Sequence, residues 1–315
     1  CVVFLLRRNT LKIKRFWGRE MTSWPRSDAN YILITEILLM TAFLTMNACD
    51  LLLQDMGSEH YIKAGSFPVS SYWSSIFMGL NEGTLIFIER FCWWFHILGI
   101  FAFLNYLPIS KHLHIMLAFP NTYFSNLQPK GGLTNMESVR REVELMMDPT
   151  KDPFAAQPVS EIPARFGAKD IFDLKWTNLM GAYSCTECGR CTSACPANIT
   201  GKLLSPRKIM MDTRDRLQEV GKNIEKNGSF VDDGKTLLND YITVEELRAC
   251  TTCNACVEEC PVNISPLSII MDMRRYLVME QSAAPMSLNS MMSNIENNGA
   301  PWQYNQQDRL NWKNE

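Results

Sequence analysis

Two long apolar runs dominate the first 110 residues of a chain that is otherwise mixed in polarity. The first covers residues 31–53 and the second residues 84–107. At 1.5 Å per helical residue, each run is long enough to cross a hydrocarbon core of about 30 Å. Gly99 is the only glycine or proline in either run. Both runs are therefore predicted to be transmembrane helices rather than core helices of a soluble protein.

The second half of the chain carries helix-start signals in place of long apolar runs. Ser205-Pro206 and Ser265-Pro266 each combine an N-cap residue with proline at the first helical position. Further helical stretches are predicted at residues 213–223 and 244–249, on either side of a polar loop near residues 228–234. We therefore expect an all-α fold, in which a transmembrane helical part precedes a soluble helical part.

The charges orient the two predicted spans. Residues 7–26 carry seven lysines and arginines against one acid, whereas residues 54–83 carry Lys63 as their single basic residue. The positive-inside rule places residues 7–26 in the cytoplasm. After two crossings, the chain beyond about residue 120 is cytoplasmic as well. A net charge of −2 over 315 residues excludes a basic nucleic-acid arm.

The start of the chain has the reverse order of a signal peptide. An apolar run at residues 1–6 comes first, and Arg7 and Arg8 follow it. A signal peptide places its basic residues before the apolar stretch. We therefore expect a fragment whose first transmembrane helix is cut.

Eight of the eleven cysteines form two copies of the pattern Cys-x2-Cys-x2-Cys-x3-Cys-Pro. The copies are Cys185, Cys188, Cys191 and Cys195, and Cys250, Cys253, Cys256 and Cys260. This pattern is typical of [4Fe–4S] ferredoxins, in which the fourth cysteine binds the other cluster. The expected ligand sets are Cys185, Cys188 and Cys191 with Cys260, and Cys250, Cys253 and Cys256 with Cys195. Zinc is disfavoured, because its sites use two separated Cys-x2-Cys knuckles.

The other three cysteines and two acids lie in or beside the apolar runs. Cys1, Cys49 and Cys92 are predicted to be packing residues. Glu36 and Asp50 are candidates for quinone-linked proton handling, and are equally well explained as interfacial or helix-pairing groups. The eight thiolates of the two cysteine runs suit a reducing compartment, in agreement with the charge pattern.

His96 lies inside the second apolar run, where an imidazole needs a partner. His114 follows 18 residues later, which is five turns of a continuous helix, so both rings would share one face about 27 Å apart. Two stacked b-type haems would need this arrangement. His112 is out of phase by about 160°. The alternative is that Lys111, His112 and His114 are interfacial polar residues and that His96 bonds a neighbouring helix.

The segment WWFHILGIFAFLNYLPISKHLHIMLAFPNTYF (residues 93–124) resembles the last transmembrane helix of the membrane subunit of respiratory nitrate reductases. It is closer to the membrane domain of iron–sulfur oxidoreductases of the heterodisulfide-reductase and electron-transfer-flavoprotein:menaquinone oxidoreductase type. In those families the helix supplies haem b ligands at the positions matched by His96 and His114. The resemblance therefore implies haem b, one or two groups, with further ligands upstream of this fragment.

The segment TNLMGAYSCTECGRCTSACPANITGKLLSPRKI (residues 177–209) is similar to the same oxidoreductases, and the cysteine region to the ferredoxin-type subunit of heterodisulfide reductase. It resembles succinate dehydrogenase iron–sulfur subunits in fold only. A cysteine-rich CCG domain often follows in the oxidoreductase group. This sequence departs there, because a polar, Asn-rich tail follows Met279. Trp302 and Trp312 in the tail are either partner anchors or parts of a docked or disordered end.

The sequence predicts four segments. They are a transmembrane haem b-type domain (1–125), a linker (126–175), a two-[4Fe–4S] helical ferredoxin domain (176–282) and a polar tail (283–315). We expect an electron-transfer subunit of an oxidoreductase in the bacterial inner membrane. It would connect the menaquinone pool to a CCG-type, flavoprotein or dehydrogenase subunit that carries the substrate site. A membrane-bound redox sensor is the alternative, and a zinc-binding membrane adaptor is a weaker third.

Overall fold

The computed structural model describes residues 1–63, 65–129, 132–148, 150 and 165–314. Within those ranges the regular structure is helical, and extended pairing is limited to an isolated bridge between Leu238 and Ile242. The all-α fold predicted from the sequence is confirmed. The predicted linker over residues 126–175 lies partly outside the described residues.

The named helices are α1 (Ser23–Asp55), α2 (Glu82–Tyr106), α3 (His114–Tyr123), α4 (Glu137–Met147), α5 (Trp176–Ser184), α6 (Pro206–Asn227), α7 (Val244–Ala249), α8 (Pro266–Arg275) and α9 (Met286–Asn298). Short helices lie at Val2–Leu5, Ser70–Ser74, Arg190–Ser193, Pro196–Ile199 and Ala255–Glu258.

The chain forms two compact units that do not follow the linear order of the sequence. The first unit comprises residues 1–126, 180–195 and 259–264, and the second comprises residues 127–179, 196–258 and 265–315. The first unit therefore combines the two apolar helices with parts of both cysteine runs. The domain limits predicted from the sequence stay a prediction.

In the first unit, α1 and α2 pack along each other. Asn81 caps the start of α2, because its side chain accepts a hydrogen bond of 2.8 Å from the amide of Thr84. Cys49, Leu53 and Leu85 are buried between the helices. A Cβ atom at Gly99 would lie 2.5 Å from Cδ2 of Leu39. Glycine at this position therefore lets the two helices approach closely.

Both helices leave most of their apolar surface exposed. By length and composition, Ser23–Asp55 and Glu82–Ile109 could each cross a membrane, and 33% and 17% of their most apolar stretches are buried. The core helix of a soluble protein would be mostly buried, so the exposure favours an apolar surrounding medium. The transmembrane assignment itself stays a prediction.

The second apolar helix does not continue through His114. After Tyr106 the chain forms a 3₁₀ turn at Leu107–Ile109, and Ser110 then has extended backbone angles. Pro108 lacks the amide hydrogen that an α-helix needs, and Ser110 caps the next turn by accepting from the amide of His112. The expectation that one continuous helix carries His96 and His114 on one face is therefore wrong.

In the second unit, the two predicted helix starts are confirmed. Ser205 caps α6 and Ser265 caps α8, each accepting from the amide three residues on, at 3.4 Å and 3.3 Å, with proline in the first turn. The predicted stretch 213–223 lies inside α6, which ends at Gly228 in the left-handed conformation. The predicted helix 244–249 coincides with α7.

The predicted polar tail is partly helical. It contains α9 and a 3₁₀ segment at Gln306–Lys313. Trp302 and Trp312 are 61% and 68% exposed, so neither indole is packed into a core. The structure thus leaves both rings available on the surface of the second unit.

Candidate iron–sulfur centres

The two cysteine runs have the same local backbone. In the first run, the amide of Glu187 donates to Sγ of Cys185 at 3.4 Å. In the second run, the amide of Thr252 donates to Sγ of Cys250, also at 3.4 Å. Glu187 and Thr252 both have positive φ angles, of 54° and 56°. The sequence repeat is therefore also a repeat of conformation.

The likeness extends through the third cysteine of each run. Gly189 and Asn254 have φ angles of 76° and 60°, and a four-residue helix follows each of them. These helices, Arg190–Ser193 and Ala255–Glu258, carry Cys191 and Cys256. Backbone amides directed at cysteine sulfurs stabilise thiolates and tune the potential of a bound cluster. Both loops thus present sulfur ligands in a form suited to iron.

The first unit brings Cys260 close to the first cysteine run. Burial raises the pKa of Cys260, and the neighbouring Cys188 thiolate raises it further. The amide of Ile264 donates to Sγ of Cys260 at 3.3 Å. Burial, followed by the charge of Cys191, raises the pKa of Cys185 to about 12. The four ligands expected for one cluster therefore lie in a single unit.

Among the described residues, no group of three or more His, Cys, Asp or Glu side chains is arranged to hold a single metal ion. A single zinc ion needs four donors at one point. A [4Fe–4S] cube takes one thiolate at each iron, so its ligands surround the cube. The two runs supply eight cysteines, which is the number of thiolates that two such cubes need.

In the second unit, Arg274 contacts the backbone of the second cysteine run. Its guanidinium donates to the carbonyl oxygens of Leu247 and Cys250. The arginine is partly buried, and burial lowers its pKa. No sequence signal points to this contact, because Arg274 lies in α8, 24 residues after Cys250.

The three remaining cysteines lie outside the two runs. Cys49 and Cys92 are buried in the α1–α2 pair, as expected of packing residues. The same expectation is wrong for Cys1, which is exposed and whose thiol donates to a carboxylate oxygen of Glu36 at 2.8 Å. Asp50 accepts from the Gln54 side chain at 3.0 Å, one turn further along α1. Asp50 thus has a local partner within its own helix.

His96 and His114 share one hydrogen-bonding pattern. Nδ1 of His96 lies 3.0 Å from the carbonyl oxygen of Leu39, and Nδ1 of His114 lies 2.9 Å from that of Lys111. A carbonyl oxygen only accepts, so each Nδ1 carries the hydrogen and each Nε2 keeps a free lone pair. Metal-bound histidines usually donate their other ring nitrogen to a carbonyl or carboxylate oxygen in this way.

His112 has the opposite arrangement. Its Nε2 lies 3.7 Å from Oε1 of Glu36, so the nitrogen that would bind a metal faces a carboxylate. Burial lowers the pKa of His112, and Glu36 partly offsets this shift. The phase of a continuous helix favours His114 over His112 in the sequence. In the structure, His114 uses Nδ1 for its hydrogen bond, whereas His112 turns Nε2 toward Glu36.

A buried ion pair joins the segment after α2 to the first cysteine run. The ammonium group of Lys111 contacts a carboxylate oxygen of Glu187, which lies between Cys185 and Cys188. The side chains are 9% and 2% exposed. Burial lowers the pKa of Lys111, and Glu187 opposes this shift. Sequence reasoning does not find this pair, because it places Lys111 among interfacial polar residues.

Comparison with known proteins identifies the cysteine region. Residues 184–264 match the family of 4Fe-4S dicluster domains. The iron–sulfur chemistry predicted from the two runs is thereby confirmed at the level of [4Fe–4S] clusters. No solved structure matches the chain at a comparable level of significance.

Longer relatives share both halves of the chain. It is 31% identical over 279 residues to the probable iron-sulfur-binding oxidoreductase FadF of Bacillus subtilis. The aligned residues cover 79% of this chain and 37% of FadF. It is 28% identical over 314 residues to the EtfAB:quinone oxidoreductase of Syntrophomonas wolfei, covering 92% of this chain and 40% of the relative. The chain thus spans about two fifths of the length of these relatives.

A third relative is named for its membrane attachment. The chain is 32% identical over 173 residues to a probable membrane-anchored ferredoxin of Chromohalobacter salexigens, covering 50% of this chain and 25% of the relative. Heterodisulfide reductase subunits of Methanosarcina are similar over shorter stretches. The resemblance to iron–sulfur oxidoreductases is therefore confirmed. Haem b and a cut first helix stay predictions.

Proposed function

We propose that this chain is an electron-transfer subunit that connects a membrane quinone pool to a redox partner through two [4Fe–4S] clusters. The observation that carries the proposal is the repeated cysteine loop, with matching positive φ angles and matching amide–sulfur hydrogen bonds. The match to the dicluster family supports the clusters. The relative named as a quinone oxidoreductase supports the quinone as the membrane-side reactant.

The first cluster is assigned to Cys185, Cys188, Cys191 and Cys260, and the second to Cys250, Cys253, Cys256 and Cys195. The neighbouring charges of Cys188 and Cys260 support the first set. The fourth cysteine of each run precedes a proline and lies beyond the tight loop, which supports exchange between the runs. Bound clusters of this type supply one-electron transfer, while the chain's residues position them and set their potentials.

His96 and His114 are assigned as ligands to haem b in the membrane part. The support comes from their Nδ1 contacts with backbone carbonyls, which leave Nε2 available at both residues. Each b-type haem with two axial histidines needs a second imidazole. The assignment therefore requires ligands from additional helices, whether in this polypeptide or in a partner.

The iron–sulfur part is assigned to the cytoplasmic side of the bacterial inner membrane. Seven basic residues in 7–26 against one in 54–83 support this orientation. The redox partner is then a cytoplasmic CCG-type, flavoprotein or dehydrogenase subunit, which carries the substrate site. The exposed apolar surface of α1 and α2 supports membrane association.

The decisive experiment is anaerobic purification of the chain in detergent, followed by EPR spectroscopy. Spectra are recorded before and after menaquinol is added to the oxidised protein, and before and after menaquinone is added to the reduced protein. We expect two cluster signals with S = 1/2 that respond to the quinone couple. The matched variant Cys188→Ser should lose one signal and leave any haem absorption intact. A colourless, zinc-containing protein would contradict the proposal. Clusters that do not exchange electrons with the quinone would favour the redox sensor.

A further inference from the structure

The ion pair of Lys111 and Glu187 joins the segment after α2 to the first cysteine loop. Both side chains are almost fully buried within the first unit. Removing two charges from water costs free energy that their mutual attraction often fails to recover. A contribution to folding stability is therefore a weak explanation for this pair. Its location next to Cys185 suggests a role at the first cysteine loop instead.

Lys111 is held in place from three directions. Its backbone amide donates to Oδ2 of Asp28 at 3.0 Å, and its ammonium group donates to the carbonyl oxygen of Pro25 at 2.6 Å. The hydroxyl of Tyr106 donates to the other oxygen of Asp28. The carbonyl oxygen of Lys111 bonds Nδ1 of His114. Lys111 thus contacts α1 and a candidate haem ligand, and it shares Asp28 with Tyr106 at the end of α2.

Glu187 is held equally firmly on the cysteine side. It has a φ angle of 54°, and its amide donates to Sγ of Cys185. A continuous chain of contacts therefore runs from the ring of His114 through Lys111 and Glu187 to the sulfur of Cys185. All of these residues belong to the first unit.

Three further hydrogen bonds join the same two regions. Two of them involve side chains of the segment 117–125: Asn121 donates to the carbonyl oxygen of Val262 at 2.6 Å, and Asn263 donates to the Ser125 hydroxyl at 3.3 Å. The third joins the hydroxyl of Ser184 to the carbonyl oxygen of Leu117 at 3.3 Å. Ser184 precedes Cys185, and Val262 and Asn263 follow Cys260. Residues next to Cys185 and Cys260 are thus hydrogen-bonded to α3 and its flanks.

We propose that Lys111 and Glu187 form a positioning pair that couples the first cluster to the membrane part, with opposite charges that offset each other's effect on the reduction potential of that cluster. This inference rests on the proposed function, because it concerns the same clusters. The pair holds the first cluster loop against the segment that carries His114, which would place a bound cluster where it could exchange electrons with the membrane part. The paired charges leave the cluster with little net field from either group.

The two charges have opposite effects on the cluster when one is removed. Without the ammonium group, a positive charge is lost beside the first cysteine loop, so the added electron is disfavoured. Without the carboxylate, the ammonium group of Lys111 favours the added electron. Coulomb interactions are strong at such buried positions. Lys111→Met should therefore lower the potential of the first cluster, and Glu187→Gln should raise it.

The test is an EPR-monitored redox titration of the full chain with both clusters, on Lys111→Met, Glu187→Gln and the double variant. Shifts of opposite sign are expected in the single variants, with the double variant returning close to the unmodified potential. Reduction of the first cluster by menaquinol should slow about tenfold in Lys111→Met, because misplacement of reacting groups is costly. Lys111→Arg, which keeps the charge, should restore the potential.

The matched control is Lys208→Met in the second unit. Lys208 pairs with Asp212 and Glu246 at 2.7 Å and 3.0 Å, so this variant also removes a lysine from two carboxylates. It should leave the first cluster's potential unchanged. If Lys111→Met loses the first cluster, the nearly isosteric Glu187→Gln tests the proposal alone. An upward shift in the reduction potential of the first cluster supports it, and a downward shift or no shift contradicts it.

Unchanged potentials in Lys111→Met and Glu187→Gln, or shifts of the same sign, would overturn the coupling role while leaving the proposed function intact. Absence of cluster signals in the unmodified chain, or their failure to respond to menaquinol, would instead overturn the proposed function. The two failures are therefore separated by the unmodified protein.

Discussion

At the scale of single residues, the cysteine loops depend on non-glycine residues in the left-handed region. Glu187, Thr252 and Asn254 all have positive φ angles. A conformation of this kind costs about 1–2 kcal/mol for a non-glycine residue, and such strain concentrates at functional sites. In both loops it directs an amide at the first cysteine sulfur. The strain is therefore placed where a cluster ligand has to be oriented.

The ligand exchange between the runs leads to a residue-scale prediction. Cys260→Ser should remove or alter the EPR signal of the first cluster, because Cys260 lies near Cys188, while the second signal stays unchanged. Cys195→Ser should have the reverse effect. Each of the two variants is the control for the other. If Cys195→Ser altered the first cluster instead, each run would hold its own cube.

The two histidines after α2 lead to a second prediction. His114→Ala should abolish a low-spin haem b signal in the membrane-bound holoprotein, because Nε2 of His114 is available. His112→Ala should preserve that signal, since Nε2 of His112 faces Glu36. Reduced-minus-oxidised optical spectra and EPR measure both. Equal loss in the two variants would mean that the segment acts through packing alone.

At the scale of elements, α8 in the second unit depends on a close backbone approach. A Cβ atom at Gly167 would lie 2.2 Å from the carbonyl oxygen of Asp272 and 2.5 Å from the amide of Tyr276. Gly167 also has a φ angle of +78°. The next residue, Ala168, donates from its amide to the same Asp272 oxygen at 3.0 Å. The segment before α5 therefore packs against the backbone of α8 at Gly167, where a larger residue would clash.

Gly167→Ala should destabilise the protein by about 3 kcal/mol, because a steric clash adds to an unfavourable φ angle. Thermal unfolding followed by circular dichroism in detergent measures the change in free energy. The matched control is Gly221→Ala in the interior of α6, where a new Cβ meets nothing within 4 Å. That change should stabilise the protein by about 0.5–1 kcal/mol. A similar effect from both substitutions would disprove the close approach.

At the scale of the whole molecule, the proposed membrane orientation is the hypothesis with the widest consequences. The basic residues of 7–26 lie beside aromatic rings, with Arg8 and Arg15 near Phe16 and with Lys12 and Arg26 near Trp17. Basic and aromatic side chains of this kind are typical of the membrane interface on the cytoplasmic side. The loop between α1 and α2 carries no comparable cluster of basic residues.

This asymmetry predicts which parts of the chain an impermeant thiol reagent reaches in intact cells. In a Cys1→Ser background, Lys63→Cys in the α1–α2 loop should be labelled from outside, whereas Ser290→Cys in α9 should be protected until the membrane is opened. Both positions are exposed in the structure, so access to the reagent is matched. Labelling of Ser290→Cys in intact cells would reverse the proposed orientation.

The sequence by itself determined the features that depend on neighbouring residues. The apolar runs located α1 and α2, the Ser-Pro pairs located the starts of α6 and α8, and the cysteine spacing identified the [4Fe–4S] domain. These signals work because helix caps, hydrophobic periodicity and metal-binding loops act within one to a few turns of chain.

Only the tertiary structure decided the features that join distant segments. It gave His96 its Nδ1 partner, the carbonyl oxygen of Leu39, which lies 57 positions earlier in the chain. It also paired Lys111 with Glu187, 76 positions along the chain. Charge pairs and hydrogen bonds of this kind depend on how distant elements pack. The residues around each partner in the sequence do not indicate which distant residue will contact it. The first unit combines residues 1–126, 180–195 and 259–264 for the same reason, because packing brings these three separate segments together.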